Sequence, residues 1–107
     1  MNNSFEKGKA FDLASLVDYE DGGIVSKQII GNDGGNVTLF SFARGQKLSE
    51  HSAPFDALVQ ILDGSAEIKI GGRPVSLAKG ESVIMPAGIP HEVKACGNFK
   101  MLLTMAR

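Results

Sequence analysis

Two side chains in this sequence combine metal-ligand and acid–base chemistry near neutral pH: His51 and His91, its only histidines. His51 lies in the stretch from Gly45 to Gly64, ahead of an apolar run that ends at Asp63-Gly64. His91 follows Pro86-Ala-Gly-Ile-Pro90, in the stretch from Gly80 to Ala95. Two neutral imidazoles facing one another make a weak metal site, because a catalytic divalent ion usually takes three protein ligands and keeps one position open. Without a metal, the same pair is suited to proton transfer, given a carboxylate partner. Asp56 and Asp63 are the nearby carboxylates. Asp63 belongs more naturally to the turn, and Asp56 points away from His51 on a regular strand. A bulge at Pro54-Phe55 would turn Asp56 inward.

Side chains alternate across a strand, so residues of one parity share a face. Ala53, Ala57, Val59 and Ile61 share the parity of His51 and are expected to line a cavity with it. The two alanines leave room for a small organic ligand or water. Val59 and Ile61 equally suit a packed core. Met85, just before the Pro86 turn, is expected at the pocket wall, where a methionine also serves as a gap filler. The expected ligand pocket is therefore His51, Ala53, Ala57, Val59, Met85 and His91, with His51 and His91 as candidate metal ligands.

The elements that must position these residues are short. Ile24–Ile30, Val37–Arg44, Phe55–Leu62, Ala66–Ile70, Pro74–Ala78, Ser82–Met85, His91–Ala95 and Phe99–Met105 read as about eight strands. Turn signals separate them: Gly31–Gly35, a hairpin-type Asp63-Gly64, Gly71-Gly72, Lys79-Gly80 and Gly97-Asn98. Phe11–Val17 has apolar spacing that fits a helical turn or a short strand. No long amphipathic helix is visible, so antiparallel pairing in a sandwich or barrel is expected. Phe40 and Phe42 occupy one face of their strand and Val37 and Leu39 the other. A strand apolar on both faces is expected to lie between the sheets and a neighbouring subunit.

The two histidine stretches resemble the cupin superfamily. The first motif of that superfamily is Gly, five residues, His-x-His, three or four residues, Glu, six residues, Gly; here Gly45, His51 and Gly64 fall in register. The second is Gly, five residues, Pro-x-Gly, two residues, His, three residues, Asn; here Gly80, Pro86, Gly88 and His91 match, and Ala95 stands at the Asn position. The similarity spans roughly residues 36–105 and is that of a small single-domain bacterial cupin. It implies an all-β, double-stranded β-helix, or jelly-roll barrel, over residues 24–107, with residues 1–23 as a partly frayed N-terminal extension packing on the barrel or a partner. In metal-binding cupins the His-x-His pair, the Glu and the second-motif His are the ligands. This chain has Ala53 and Ala57 at two of those positions, leaving His51 and His91.

The resemblance points to a small-molecule-binding protein, with or without a weakly held divalent transition metal (Zn, Fe, Mn or Ni). The alternative is a metal-dependent cupin enzyme of dioxygenase, decarboxylase or isomerase type. Some cupin-fold sugar epimerases instead use a His–Asp pair. Cupins of this kind commonly form homodimers, and that is the expected assembly.

Bulk properties set the outer limits. The 107 residues suit one domain, with ordinary globular proportions of 43% hydrophobic and 21% charged residues. A net charge of −1 offers no basic surface by count, so nucleic acid is not expected as a partner. No helix-turn-helix pattern is present. One cysteine permits no internal disulfide, and no apolar run or leader-like segment is evident, which predicts a cytoplasmic protein away from membranes. Cys96 has only Lys94 as a basic neighbour and reads as structural.

Overall fold

The computed structural model describes residues 7–107. It contains nine strands: β1 Ile24–Asn32, β2 Gly35–Phe42, β3 Lys47–His51, β4 Ala57–Asp63, β5 Ser65–Ile70, β6 Arg73–Ala78, β7 Ser82–Met85, β8 His91–Lys94 and β9 Phe99–Ala106. They form two antiparallel sheets, one ordered β1-β2-β9-β4-β7 and the other β3-β8-β5-β6. This is the expected all-β jelly roll. The described residues contain a single 3-10 turn, Leu13–Ser15, and no α-helix. That resolves the ambiguous Phe11–Val17 stretch. None of the described helices is long and apolar enough to cross a membrane.

Three details differ from the sequence reading. Lys47–His51 is a strand of its own, making nine rather than about eight. Its Lys-Leu-Ser-Glu-His composition hides it, because four of its five residues are exposed. The strand expected from Phe55 begins at Ala57 instead, after an irregular segment from Ser52 to Asp56. Finally, Asp63-Gly64 does not close a hairpin: β4 and β5 lie in different sheets, so Gly64 is the corner where the chain changes sheet. Its φ is +72°, and a Cβ there would sit 2.2 Å from the Asn98 carbonyl oxygen, so only glycine fits.

The alternation of apolar residues builds the core between the sheets. Phe42, Val59, Ile68 and Phe99 are fully buried, and the Phe42 and Phe99 rings stack at 4.6 Å. Each such side chain removed from water contributes about 1.5–3 kcal/mol, an upper figure for any one contact. The outer face of the five-stranded sheet has its own small core of Val17, Leu39 and Leu102, with Leu13, Leu16, Val25, Val37 and Leu62 packed around it. The N-terminal segment therefore covers part of the face that made β2 apolar on both sides. Two further contacts fasten it. The Tyr19 hydroxyl donates to the Asp63 carboxylate, and the Lys100 ammonium donates to the Ala14 carbonyl at 2.6 Å.

Candidate functional site

Both histidines end their strands on the same side of the barrel. His51 is the last residue of β3 and His91 the first of β8, and they are direct cross-strand partners. The ladder pairs Leu48 with Val93 but His51 with His91, so three steps on β3 face two on β8. This bulge is what lets Leu48 pack against the core while His51, an odd number of residues further on, still meets His91.

The two Nε2 atoms lie 3.1 Å apart, and the rings meet edge to face with centroids separated by 4.3 Å. Nδ1 of His51 is 2.8 Å from the Ser49 carbonyl oxygen. A carbonyl only accepts, so Nδ1 of His51 carries the proton and donates, which leaves its Nε2 as an acceptor. In the neutral pair His91 must then donate from its own Nε2. Its Nδ1 is left unprotonated, buried and without a hydrogen-bond partner.

The environments of the two rings differ sharply. His51 is exposed, whereas His91 is only 5% exposed. Burial holds the His91 pKa below the usual imidazole value of 6.5, and the neighbouring His51 adds to the depression. A backbone contact with Ile89 works in the opposite direction, although its geometry falls short of a hydrogen bond. Near neutral pH His91 is therefore a neutral ring, the form that ligates metals.

The remaining expected pocket residues divide by depth. Ala53 is half-buried beside the histidines in the segment after β3. Ala57 and Met85 are cross-strand partners at 2% and 3% exposure, and Val59 is fully buried between Val83 and Leu103. All three belong to the hydrophobic core. A separate groove of about 240 Å³ is lined by Ser65, Ala66, Glu67, Ser76, Leu77, Ala78, Glu81 and Cys96, and contains none of the six.

Asp56 has a job that parity did not suggest. Its carboxylate accepts the Ala87 amide at 2.8 Å, and so ties the irregular segment after His51 to the loop before His91. Asp63 is held by Tyr19. Neither carboxylate hydrogen-bonds to an imidazole, so a His–Asp proton-transfer pair is not assembled. Among the described residues, no group of three or more His, Cys, Asp or Glu side chains is placed to hold a metal ion.

Comparison with known proteins agrees with this architecture. Residues 38–106 match the family described as Cupin domain, and the chain belongs to that family. It is similar to a conserved protein of unknown function from Streptococcus pyogenes, at 39% identity and a TM-score of 0.92, covering 99% of this chain and 92% of that one. A cupin superfamily protein from Desulfitobacterium hafniense is 30% identical with a TM-score of 0.89, covering 98% and 95%. A cupin 2 conserved barrel domain protein from Leptotrichia buccalis is 44% identical with a TM-score of 0.88; the match covers 91% of this chain but 47% of that one. No curated protein matches.

Proposed function

We propose that this cupin binds a small polar or carboxylated molecule at the His51–His91 end of its barrel, together with a weakly held divalent transition metal. One observation carries the reading: two Nε2 atoms converge at 3.1 Å, one on a ring oriented by a backbone carbonyl and the other on a ring kept neutral by burial. His51 and His91 would hold such an ion through these two nitrogens. To accept an ion, His91 must move its proton from Nε2 to the unpartnered Nδ1. His51 needs no change, because its proton is already on Nδ1.

Two protein ligands leave most of the coordination shell to water or to the bound molecule. A ligand with oxygen donors should therefore raise metal affinity, and by reciprocity the metal should raise ligand affinity. When bound, such an ion supplies Lewis acidity. The chain itself supplies two convergent imidazoles, one exposed and one buried. The alanines at 53 and 57 favour binding over a full catalytic metal centre.

Native mass spectrometry and metal analysis of untagged protein, prepared without chelator, test the proposal. A small molecule retained by wild type and lost in His51→Ala and His91→Ala supports it. So does metal taken up on reconstitution and lost in the same variants. Retention of neither, before or after reconstitution, removes it.

A further inference from the structure

His51 and His91 are strand-terminal residues, so the β3–β8 ladder flanks the pair on one side only; β5 holds His91 through Ile70, whereas His51 lies on the edge strand. On that side the ladder is itself interrupted by the bulge after Leu48. Residues at strand ends fray unless other contacts replace the missing rungs. Here the replacement runs between the two irregular segments that continue from the histidines. The Gly88 amide donates to the Ala53 carbonyl at 2.8 Å, and the Ala87 amide donates to the Asp56 carboxylate at 2.8 Å. The Gly71 amide donates to the Pro90 carbonyl at 2.8 Å and anchors the far end of the second segment to the β5–β6 turn. The Ala106 amide, 3.4 Å from the Asp56 carbonyl, links the first segment to the end of β9.

Only one of these contacts is made by a side chain. We propose that Asp56 is the positioning residue of the two-histidine site: its carboxylate latches the segment leading out of His51 to the loop leading into His91, and so sets the separation and orientation of the imidazoles. The loop needs such a latch. Pro86 and Pro90 have no amide to donate, so the loop's direct ties to the segment after His51 come from two amides, Gly88 to the Ala53 carbonyl and Ala87 to the Asp56 carboxylate. An ionised carboxylate also accepts an amide proton more strongly than a neutral oxygen does. This assignment rests on the reading of His51 and His91 as the site, but the imidazole readout below requires no metal.

The test compares wild type, Asp56→Ala and Asp56→Asn by imidazole nitrogen NMR of the metal-free protein, with amide spectra verifying the fold. Wild type should show His51 fixed in the Nδ1-protonated form. Asp56→Ala should give mixed tautomers at His91, while His51 keeps the Nδ1 proton held by the Ser49 carbonyl, and Asp56→Asn, which keeps an acceptor oxygen, should restore the wild-type signature. In parallel, Zn²⁺ titration should show affinity about tenfold weaker in Asp56→Ala than in wild type, the usual scale for losing a group that orients a ligand. In wild type and Asp56→Asn, but not in Asp56→Ala, the Ala87 amide should exchange slowly with solvent.

Unchanged imidazole spectra in a folded Asp56→Ala overturn the latch, as does rapid exchange at Ala87 in wild type. Failure of Asp56→Asn to rescue overturns it too. If wild type binds no Zn²⁺ while the imidazole pattern holds, the latch stands and the metal reading falls. If Asp56→Ala binds Zn²⁺ as wild type does, the metal reading stands and the latch falls.

Discussion

At the scale of single residues, His91 carries the one buried side-chain polar atom among the described residues that lacks a hydrogen-bond partner. The residue is buried, and the one hydrogen bond of its ring runs to the other histidine. A buried unpaired polar atom costs about 1–3 kcal/mol, whereas an apolar side chain of similar volume carries no such penalty. His91→Leu should therefore leave stability unchanged or raise it by about 1 kcal/mol in urea denaturation. It should also abolish metal and ligand binding. A loss of 2 kcal/mol or more would mean that the imidazole serves packing instead.

The depressed pKa of His91 also gives stability a pH dependence of definite sign. Above the ordinary imidazole value of 6.5 both folded and unfolded chains carry a neutral ring, and the group contributes no slope. As pH falls below 6.5 the unfolded chain takes up the proton first, so stability should decline until His91 itself titrates in the folded state. Denaturation midpoints between pH 7.5 and 5 read this, and His91→Leu should flatten that part of the profile.

At the scale of elements, the N-terminal segment and the sheet-crossing corner can each be tested. Tyr19 ties the segment to Asp63, and its pKa is raised, first by burial and then by that carboxylate. The neutral phenol is thus favoured on folding. Stability from this group should be intact below pH 10 and decline as pH rises above it, when the unfolded chain ionises first. Tyr19→Phe should remove that alkaline decline and cost about 1 kcal/mol at neutral pH by thermal or urea unfolding. Gly64→Ala should cost more, about 2 kcal/mol or above, because the added methyl meets the backbone of Asn98 and the left-handed φ disfavours alanine.

What could be read from the sequence also divides by element. Strands with strong apolar alternation and glycine turns, such as Ala66–Ile70 with Gly71-Gly72, were legible at nearly their observed bounds. So was the placement of both histidines on paired cupin positions. Lys47–His51 was not legible, because a mostly polar edge strand lacks periodic signal. The role of Asp56 was hidden for a different reason. Parity arguments presume a regular strand, and residues 52–56 are irregular, so the partner of that carboxylate is set by a loop thirty-one residues away. The sheet change at Gly64 was likewise invisible, since a hairpin turn and a sheet-to-sheet corner use the same residues.

At the scale of the whole molecule, one end of the barrel gathers the features on which the proposed function rests. The two histidines, the segment with Ala53 and Asp56, and the Pro86–Pro90 loop meet there. Phe42, Phe99 and Ile68 hold the two sheets together behind them as a close-packed interior. A rigid scaffold carrying a small set of convergent polar groups on irregular segments is the usual arrangement for ligand binding.

The most direct measurement is a Zn²⁺ titration of the wild-type protein followed by the imidazole nitrogen resonances of His51 and His91. The account predicts that the Nε2 signals of both rings move together and saturate at one ion per chain, that chelator reverses the change, and that a small carboxylate with additional oxygen donors shifts saturation to lower Zn²⁺. Movement of one ring without the other, or no movement of either while the protein remains folded, would contradict it.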